Sequence, residues 1–373
     1  MKEESGSEEL LHKLSPKKMA NILHDPLKTA KAVNLVYITD VDTPGISRQK
    51  SGKNFNYFLE GKEIKNKDVL ERINKLVIPP AWENVWICAL ENGHLQATGI
   101  DIKKRKQYRY HPAWIALRNH SKYYRMIQFA HALPQIRLHI EKDLARKGLP
   151  QEKVLAAVVS LMERTHIRVG NNIYEKLYGS FGLTTFQDKH VDIKGNTIKL
   201  SFKGKKGVYH DIQLKNPKLS RIVQRCKEIP GKELFQYDDG YGQRHPIDSG
   251  MVNDYIREIA GENYTSKDFR TWAGTVSAFL ALKELGCAET PADQKKKMAE
   301  AIDKVAAKLG NTRNVCKKYY VHPLILSLYE NGTLQKYFDQ LDEIERNDNQ
   351  TDLTSEEKII LDILEKGMSF QYC

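Results

Sequence analysis

Leu309-Gly310-Asn311-Thr312-Arg313-Asn314-Val315-Cys316-Lys317-Lys318-Tyr319-Tyr320-Val321-His322-Pro323 decides how the rest of this 373-residue chain is read. The stretch sets two tyrosines in a basic context near the C-terminus. A free phenol, with a reference pKa near ~10, is a poor nucleophile at neutral pH. It becomes useful where cations steady the developing charge, and an anionic phosphodiester suits an arginine-lined site of that kind. Taken alone, the stretch reads more plainly as a Tyr pair closing a helix with its hydroxyls bonded to backbone. The residues that accompany it elsewhere in the chain decide between the two.

Charge is the first of these. The formal net charge is +12, and Asp339 to Lys366 holds ten acidic residues against three basic ones, so residues 1–338 carry +19. A surplus of that size points to a polyanionic partner, nucleic acid above all. The five cysteines (Cys88, Cys226, Cys287, Cys316, Cys373) form no C-x-x-C pair. That argues for a reducing compartment and against a zinc site or a disulfide framework. No apolar run approaches a membrane span and Met1-Lys2-Glu3-Glu4-Ser5 does not open a signal peptide, so the expected setting is cytoplasmic, on the bacterial nucleoid.

Upstream of the tyrosines the pattern is helical. Ser249–Ala260, a helix with Phe269, Trp272, Val276, Phe279 and Leu280 inward and Ser266 as its cap, and Gln294–Lys308 all fit a 3.6-residue period. Before them comes a three-stranded meander over about 189–193, 197–203 and 208–214. Ile198, Leu200 and Phe202 alternate in it with Lys199, Ser201 and Lys203, and Lys205 stands at a hairpin tip. Helices are expected at 124–132 and 136–145, parted at Pro134, and again through Val154–Met162, stopping at Arg168-Val169-Gly170 with glycine as the left-handed cap.

The N-terminal third reads differently. Val36-Tyr37-Ile38, Asn54–Phe58, Val85–Cys88 and His94–Gly99 look like strands, with a helix at 67–74 ended by Ile78-Pro79-Pro80. Asp40 and Asp42 read as a solvated turn rather than a metal site. Between Asp101 and Arg125 eight Lys or Arg face one acid, around Gln107-Tyr108-Arg109-Tyr110. Cations hold phosphates regardless of sequence, while Gln and Tyr can reach base edges or stack, so Lys103, Arg105, Lys106, Gln107, Tyr108 and Tyr110 are the candidate DNA contacts. Four regions follow: a flexible lead-in over 1–32, an α+β DNA-binding domain over 33–115, a mainly helical catalytic domain over 116–338, and an acidic tail over 339–373. In that tail Thr354-Ser355-Glu356-Glu357 forms a capping box.

Arg168, Lys205, Arg270 (within Lys267-Asp268-Phe269-Arg270-Thr271-Trp272) and Tyr320, nine residues after Asn311, occur in that order. Together with Pro79-Pro80-Ala81-Trp82, Gln107-Tyr108-Arg109-Tyr110 and Arg168-Val169-Gly170-Asn171, this set resembles the type IB DNA topoisomerases of the small bacterial and poxvirus kind over residues 33–325. The resemblance implies the tyrosine recombinase/type IB topoisomerase catalytic fold behind a small antiparallel-sheet domain. It also implies relaxation of double-stranded DNA through a 3′-phosphotyrosyl bond to Tyr320, by a monomer clamping the duplex, without ATP, cofactor or metal. Arg168 and Arg270 would hold the non-bridging oxygens, Lys205 would protonate the leaving 5′-oxygen, and Lys267 would assist. Asn311 stands where poxvirus members have histidine. Nine residues span half a turn too many for one continuous helix, so Asn311 is expected to precede the helix of Tyr320. A tyrosine recombinase shares the Arg–Lys–Arg–Tyr order, but it usually shows His-x-x-Arg where this chain has Lys267-Asp268-Phe269-Arg270, and its N-terminal domain is helical. A non-catalytic basic DNA-binding protein would need only the charge.

Overall fold

The computed structural model describes residues 25–52, 54–102, 104–344 and 351–369. It divides into two compact units, one reaching Arg125 and the other spanning Met126–Met368. The division falls ten residues beyond the boundary expected from sequence, inside a helix.

The first unit begins with α1 (Pro26–Ala32), capped by the Asp25 carboxylate on the amides of Leu27 and Lys28. The expectation of a flexible lead-in therefore fails for 26–32. Ala30, Val33 and Leu35 are buried against Ala113, Trp114 and Leu117, apolar surface that fixes the helix in place. Residues 1–24 lie outside the described residues.

The sheet of this unit is antiparallel, ordered β3-β2-β1-β4-β5-β6. Its strands are β1 (Gly45–Ser51), β2 (Asn54–Leu59), β3 (Lys62–Glu63), β4 (Glu83–Cys88), β5 (Leu95–Ile100) and β6 (Lys106–Tyr110). Helix α2 (Lys67–Lys75) covers one face, where Ile46, Ile73, Val85, Ile87 and Ala97 form the core with Trp82 against them. Strand β1 is polar throughout its second half and was not read from sequence. Val36-Tyr37-Ile38, expected as a strand, makes one bridge from Val36 to Gly93. The Ile38 amide, which a strand would need for its ladder, donates instead to Nδ1 of His94 at 3.0 Å. Asp40 is not a solvated turn acid: it accepts from Lys106 at 2.6 Å and from Thr98 at 2.7 Å.

Helix α3 (Pro112–Leu144) runs straight through Pro134, against the expected break. Proline removes one backbone bond there, but Phe129, Leu133, Ile136 and Ile140 are all buried on its inner stripe and hold the helix together. Next, α4 (Gln151–Thr165) has eleven of its fifteen residues buried, which makes it the central helix of the second unit rather than a one-faced surface helix. It ends at His166, whose φ of 56° makes it the left-handed cap in place of Gly170.

The chain continues through α5 (Asn172–Tyr178) into the meander β7 (Val191–Lys194), β8 (Thr197–Lys203) and β9 (Tyr209–Lys215). Ile198, Leu200 and Phe202 are buried, as their alternation requires. Then come α6 (Pro217–Lys227), the hairpin β10 (Gln236–Asp238) and β11 (Arg244–Pro246), α7 (Ser249–Ala260) and α8 (Ser266–Leu285). The cap of α8 is Thr265, one residue before the expected Ser266, because Thr265 and Asp268 close a reciprocal capping box. Helices α9 (Pro291–Leu309), α10 (Arg313–Tyr319), α11 (Pro323–Glu330), α12 (Gln335–Glu343) and α13 (Ser355–Ser369) complete the unit.

The acidic tail is part of this fold rather than an appendage. Thr354 and Glu357 make the expected capping box. The buried Glu357 carboxylate also accepts two bonds from Arg137 on α3 and the indole N–H of Trp272 on α8 at 2.8 Å. No described helix is long and apolar enough to cross a membrane.

Candidate active site

Four turns of chain converge in the second unit. Behind His166, Arg168 runs extended, its carbonyl accepting the Leu183 amide at 3.0 Å, while Val169 accepts from Thr184. Gly182 permits this approach: a Cβ there would lie 2.6 Å from the Arg168 carbonyl oxygen. Arg270 projects from the first turns of α8 and is 5% exposed. Helix α9 stops at Gly310 (φ 58°), and the Asn311 amide folds back onto the Ala306 carbonyl at 3.0 Å, a Schellman-type closure. Asn311 therefore precedes α10, as the half-turn argument required.

Arg168 donates to the Asn311 side-chain oxygen and, at 3.1 Å, to the Gly310 carbonyl. Arg270 donates to the carbonyls of His166 and Leu309, the latter at 2.8 Å. Every one of these partners is a neutral oxygen. Burial, with the charge of Arg270 added, pulls the Arg168 guanidinium down to about 10, and burial likewise lowers Arg270. Two guanidiniums withdrawn from water without a counter-charge are costly. They form a preorganised site for an anion, which would relieve that cost. Among the described residues, Nε of Arg270 and Nδ2 of Asn311 are buried with no hydrogen-bond partner of ordinary geometry.

Tyr320 is the residue that closes α10, half-buried, its ring centre 5.4 Å from the Arg270 guanidinium carbon. Its backbone is seated on α8 one turn beyond Arg270. Thr275 Oγ1 donates to the Tyr320 carbonyl at 3.3 Å and accepts the His322 amide at 3.1 Å. Gly274 makes the seat possible, since a Cβ there would stand 2.5 Å from the Tyr320 carbonyl oxygen. Tyr319 is 41% exposed, with Lys318 over its ring. One helix thus carries an arginine and aligns a tyrosine against it. Gly274 and Thr275 were not singled out from sequence, although a glycine inside a helical run is itself a signal of close approach.

Lys205 opens the turn between β8 and β9 and lines the same pocket as Arg168 and Arg270. Its ammonium lies 5.8 Å from the Tyr174 ring centre. His210 and Lys308 also line this pocket, and no carboxylate does among the described residues. Lys267 is exposed one turn before Arg270, its backbone carbonyl accepting from the Thr271 hydroxyl. Beside the tyrosine segment, burial pushes the Cys316 thiol up to about 11.

The candidate DNA contacts of the first unit sit on or beside the edge strand β6 and divide by face. Lys106, Tyr108 and Tyr110 are exposed on one side, the two tyrosine rings stacked at 6.0 Å. Gln107 is instead tied to Asp101 at 3.0 Å, the same carboxylate that Arg105 grips through two nitrogens. Lys103 lies outside the described residues.

Comparison with known proteins matches residues 104–349 to the family described as "Eukaryotic DNA topoisomerase I, catalytic core". Residues 54–101 match "Bacterial DNA topoisomerase IB, N-terminal domain". The chain is similar to DNA topoisomerase 1B of Acanthamoeba polyphaga mimivirus, 34% identical over 297 residues, which span 77% of this chain and 88% of that protein. It is similar also to DNA topoisomerase 1B of vaccinia virus (strain Copenhagen), 25% identical over 253 residues, 66% of this chain and 76% of the relative.

Proposed function

The chain belongs to the type IB DNA topoisomerases and relaxes supercoiled DNA, and from that premise we propose which residues carry the reaction. The Tyr320 oxygen attacks a backbone phosphorus, and a Tyr–O–P bond forms as the P–O5′ bond breaks. The phenol proton passes to water, and the Lys205 ammonium gives a proton to the departing 5′-oxygen. Arg168 and Arg270 hold the two non-bridging oxygens, where negative charge shifts in the transition state, and Asn311 Nδ2 adds a neutral donor. Lys267, exposed one turn before Arg270, adds charge only. Religation reverses the sequence, so no nucleotide is consumed.

The observation that carries this reading is the pair of arginines with neutral partners, Arg168 half-buried and Arg270 buried beside Tyr320. Such a pair makes sense only with an anion between its members for part of the cycle. A protein that bound DNA by surface charge alone would have no use for it. The six-stranded sheet of the first unit is equally unlike the helical N-terminal domain expected of a recombinase.

The first unit supplies duplex contacts through Lys106, Tyr108 and Tyr110, and one copy of the chain suffices, acting on the bacterial nucleoid. The test is supercoiled plasmid without ATP or Mg²⁺. Wild type and Tyr319→Phe relax it, and Tyr320→Phe neither relaxes it nor leaves a covalent adduct after SDS. Relaxation by Tyr320→Phe would sink the assignment.

A further inference from the structure

Three titratable side chains that line the pocket, His166, His210 and Lys308, have no part in the steps above, and His210 is packed between two of its main-chain turns. His210, on β9, lines the pocket with Arg168, Lys205 and Arg270, its ring stacked on Phe202 at 4.9 Å. Two glycines make room for it. A Cβ on Gly204 would stand 2.8 Å from Cδ2 and Nε2 of the ring, and one on Gly310 would stand 2.7 Å from Nε2. Real Cβ atoms do not come so close, so the same ring edge rests against both main chains. Gly204 immediately precedes Lys205, while Gly310 immediately precedes Asn311 and offers its carbonyl to Arg168. The ring is thus a spacer between the turn that bears the ammonium and the loop that orients one arginine. Burial, then Arg168 and Arg270, hold its imidazole below the ordinary histidine range. A neutral ring adds no further charge to a pocket already rich in cations.

We propose that His210 is a positioning residue that sets the distance between the Lys205 turn and the Asn311 loop, and so places the Lys205 ammonium at the leaving 5′-oxygen. The proposal rests on Lys205 acting as the general acid, and the experiment separates the two. Single-turnover cleavage is measured on a duplex with the natural 5′-oxygen at the scissile bond and on one with sulfur in that bridging position, whose thiolate departs without needing a proton. Lys205→Ala is expected to be slow on oxygen and restored on sulfur.

His210→Ala should follow it, about ten- to a hundredfold slow on oxygen, the usual effect of a misplaced group, and close to wild type on sulfur. Gly204→Ala, which pushes the ring from the other side, should behave likewise, and His210→Phe, which keeps the stacked shape, should recover most of the oxygen rate. Slow cleavage of both substrates by His210→Ala, with Lys205→Ala restored on sulfur, overturns the proposal, as does a normal oxygen rate. Slow cleavage of both by Lys205→Ala overturns the general-acid assignment and the His210 proposal with it. Thermal melting of each variant shows whether a slow rate comes from an unfolded chain, and an unfolded fraction too small to account for the loss is required for support.

Discussion

The two basic regions of this chain treat their charges in opposite ways. Around β6, Lys106 is paired with Asp40 at 2.6 Å, Arg105 with Asp101 at 2.7 Å and Lys104 with Glu83 at 2.7 Å. Against the push of burial, Lys106 and Thr98 even hold the Asp40 carboxyl below its usual range. In the pocket proposed for catalysis Arg168 and Arg270 are more deeply buried, yet among the described residues their bonds go to neutral oxygens. The cations of these pairs remain exposed and can take a phosphate beside their carboxylate at little cost or gain, which suits reversible contact along a duplex. A buried, uncompensated guanidinium attracts an anion far more strongly, because little solvent lies between them. The proposed function thus puts recognition where charges are already neutralised, and chemistry where they are not.

The contrast predicts unequal consequences of mutation. The largest belongs to Arg270→Ala, which should slow single-turnover cleavage by about 10²–10³-fold, the range for removing one preorganised oxyanion donor, while DNA binding measured by gel shift changes little. Arg270→Lys should recover little of that loss, because one ammonium cannot serve the His166 and Leu309 carbonyls and a phosphate oxygen together. Full activity in Arg270→Lys would show that charge alone, not the planar fork, is what the pocket needs.

Next is the support behind that arginine. Glu357→Ala leaves Arg137 without part of its counter-charge in a buried site and should cost about 3–5 kcal/mol of folding stability. Against burial, Arg137, Thr354 and Trp272 hold the Glu357 carboxyl below its ordinary range. Its contribution is therefore present above the unfolded-state pKa of ~4.3 and fades as pH falls through the lower folded-state value. Wild type should lose melting temperature on acidification below ~4.3, and Glu357→Gln should show a flatter profile. Identical profiles would remove Glu357 from the acid response.

Gly274→Ala puts a methyl against the Tyr320 carbonyl. Displacement of that kind should lower cleavage by up to about 10²-fold with an unchanged affinity for DNA, so a fall in affinity instead would move the fault to folding. The smallest effect is on the β6 side. Lys106→Ala should reduce the salt dependence of binding by about 0.9 in the log–log slope, one phosphate contact, and leave cleavage of bound DNA intact. A cleavage defect in Lys106→Ala would erase the division between the two regions.

Much of this was legible in one dimension. The alternation of Ile198, Leu200 and Phe202, the capping box at Thr354–Glu357 and the Leu309-Gly310 stop all rest on local rules of period and cap, so they appear in the order of residues itself. The order Arg168, Lys205, Arg270, Tyr320 was legible too, as was the need for Asn311 to stand outside the helix of Tyr320. What misled were places where a distant partner overrode a local preference. Pro134 is carried through by a buried stripe, Ile38 gives its amide to the His94 ring, and residues 26–32 fold because Trp114 and Leu117 cover Ala30.

The order of residues determined where the charges lie and most of the helices and strands, because those properties depend on neighbours within a turn or two. It could not say that α8 would hold Arg270 and seat Tyr320 through Gly274 and Thr275, nor that the acidic helix α13 would end on Trp272. Only packing settled those matters, since contacts between residues tens to hundreds of positions apart exist once the core has brought their helices together.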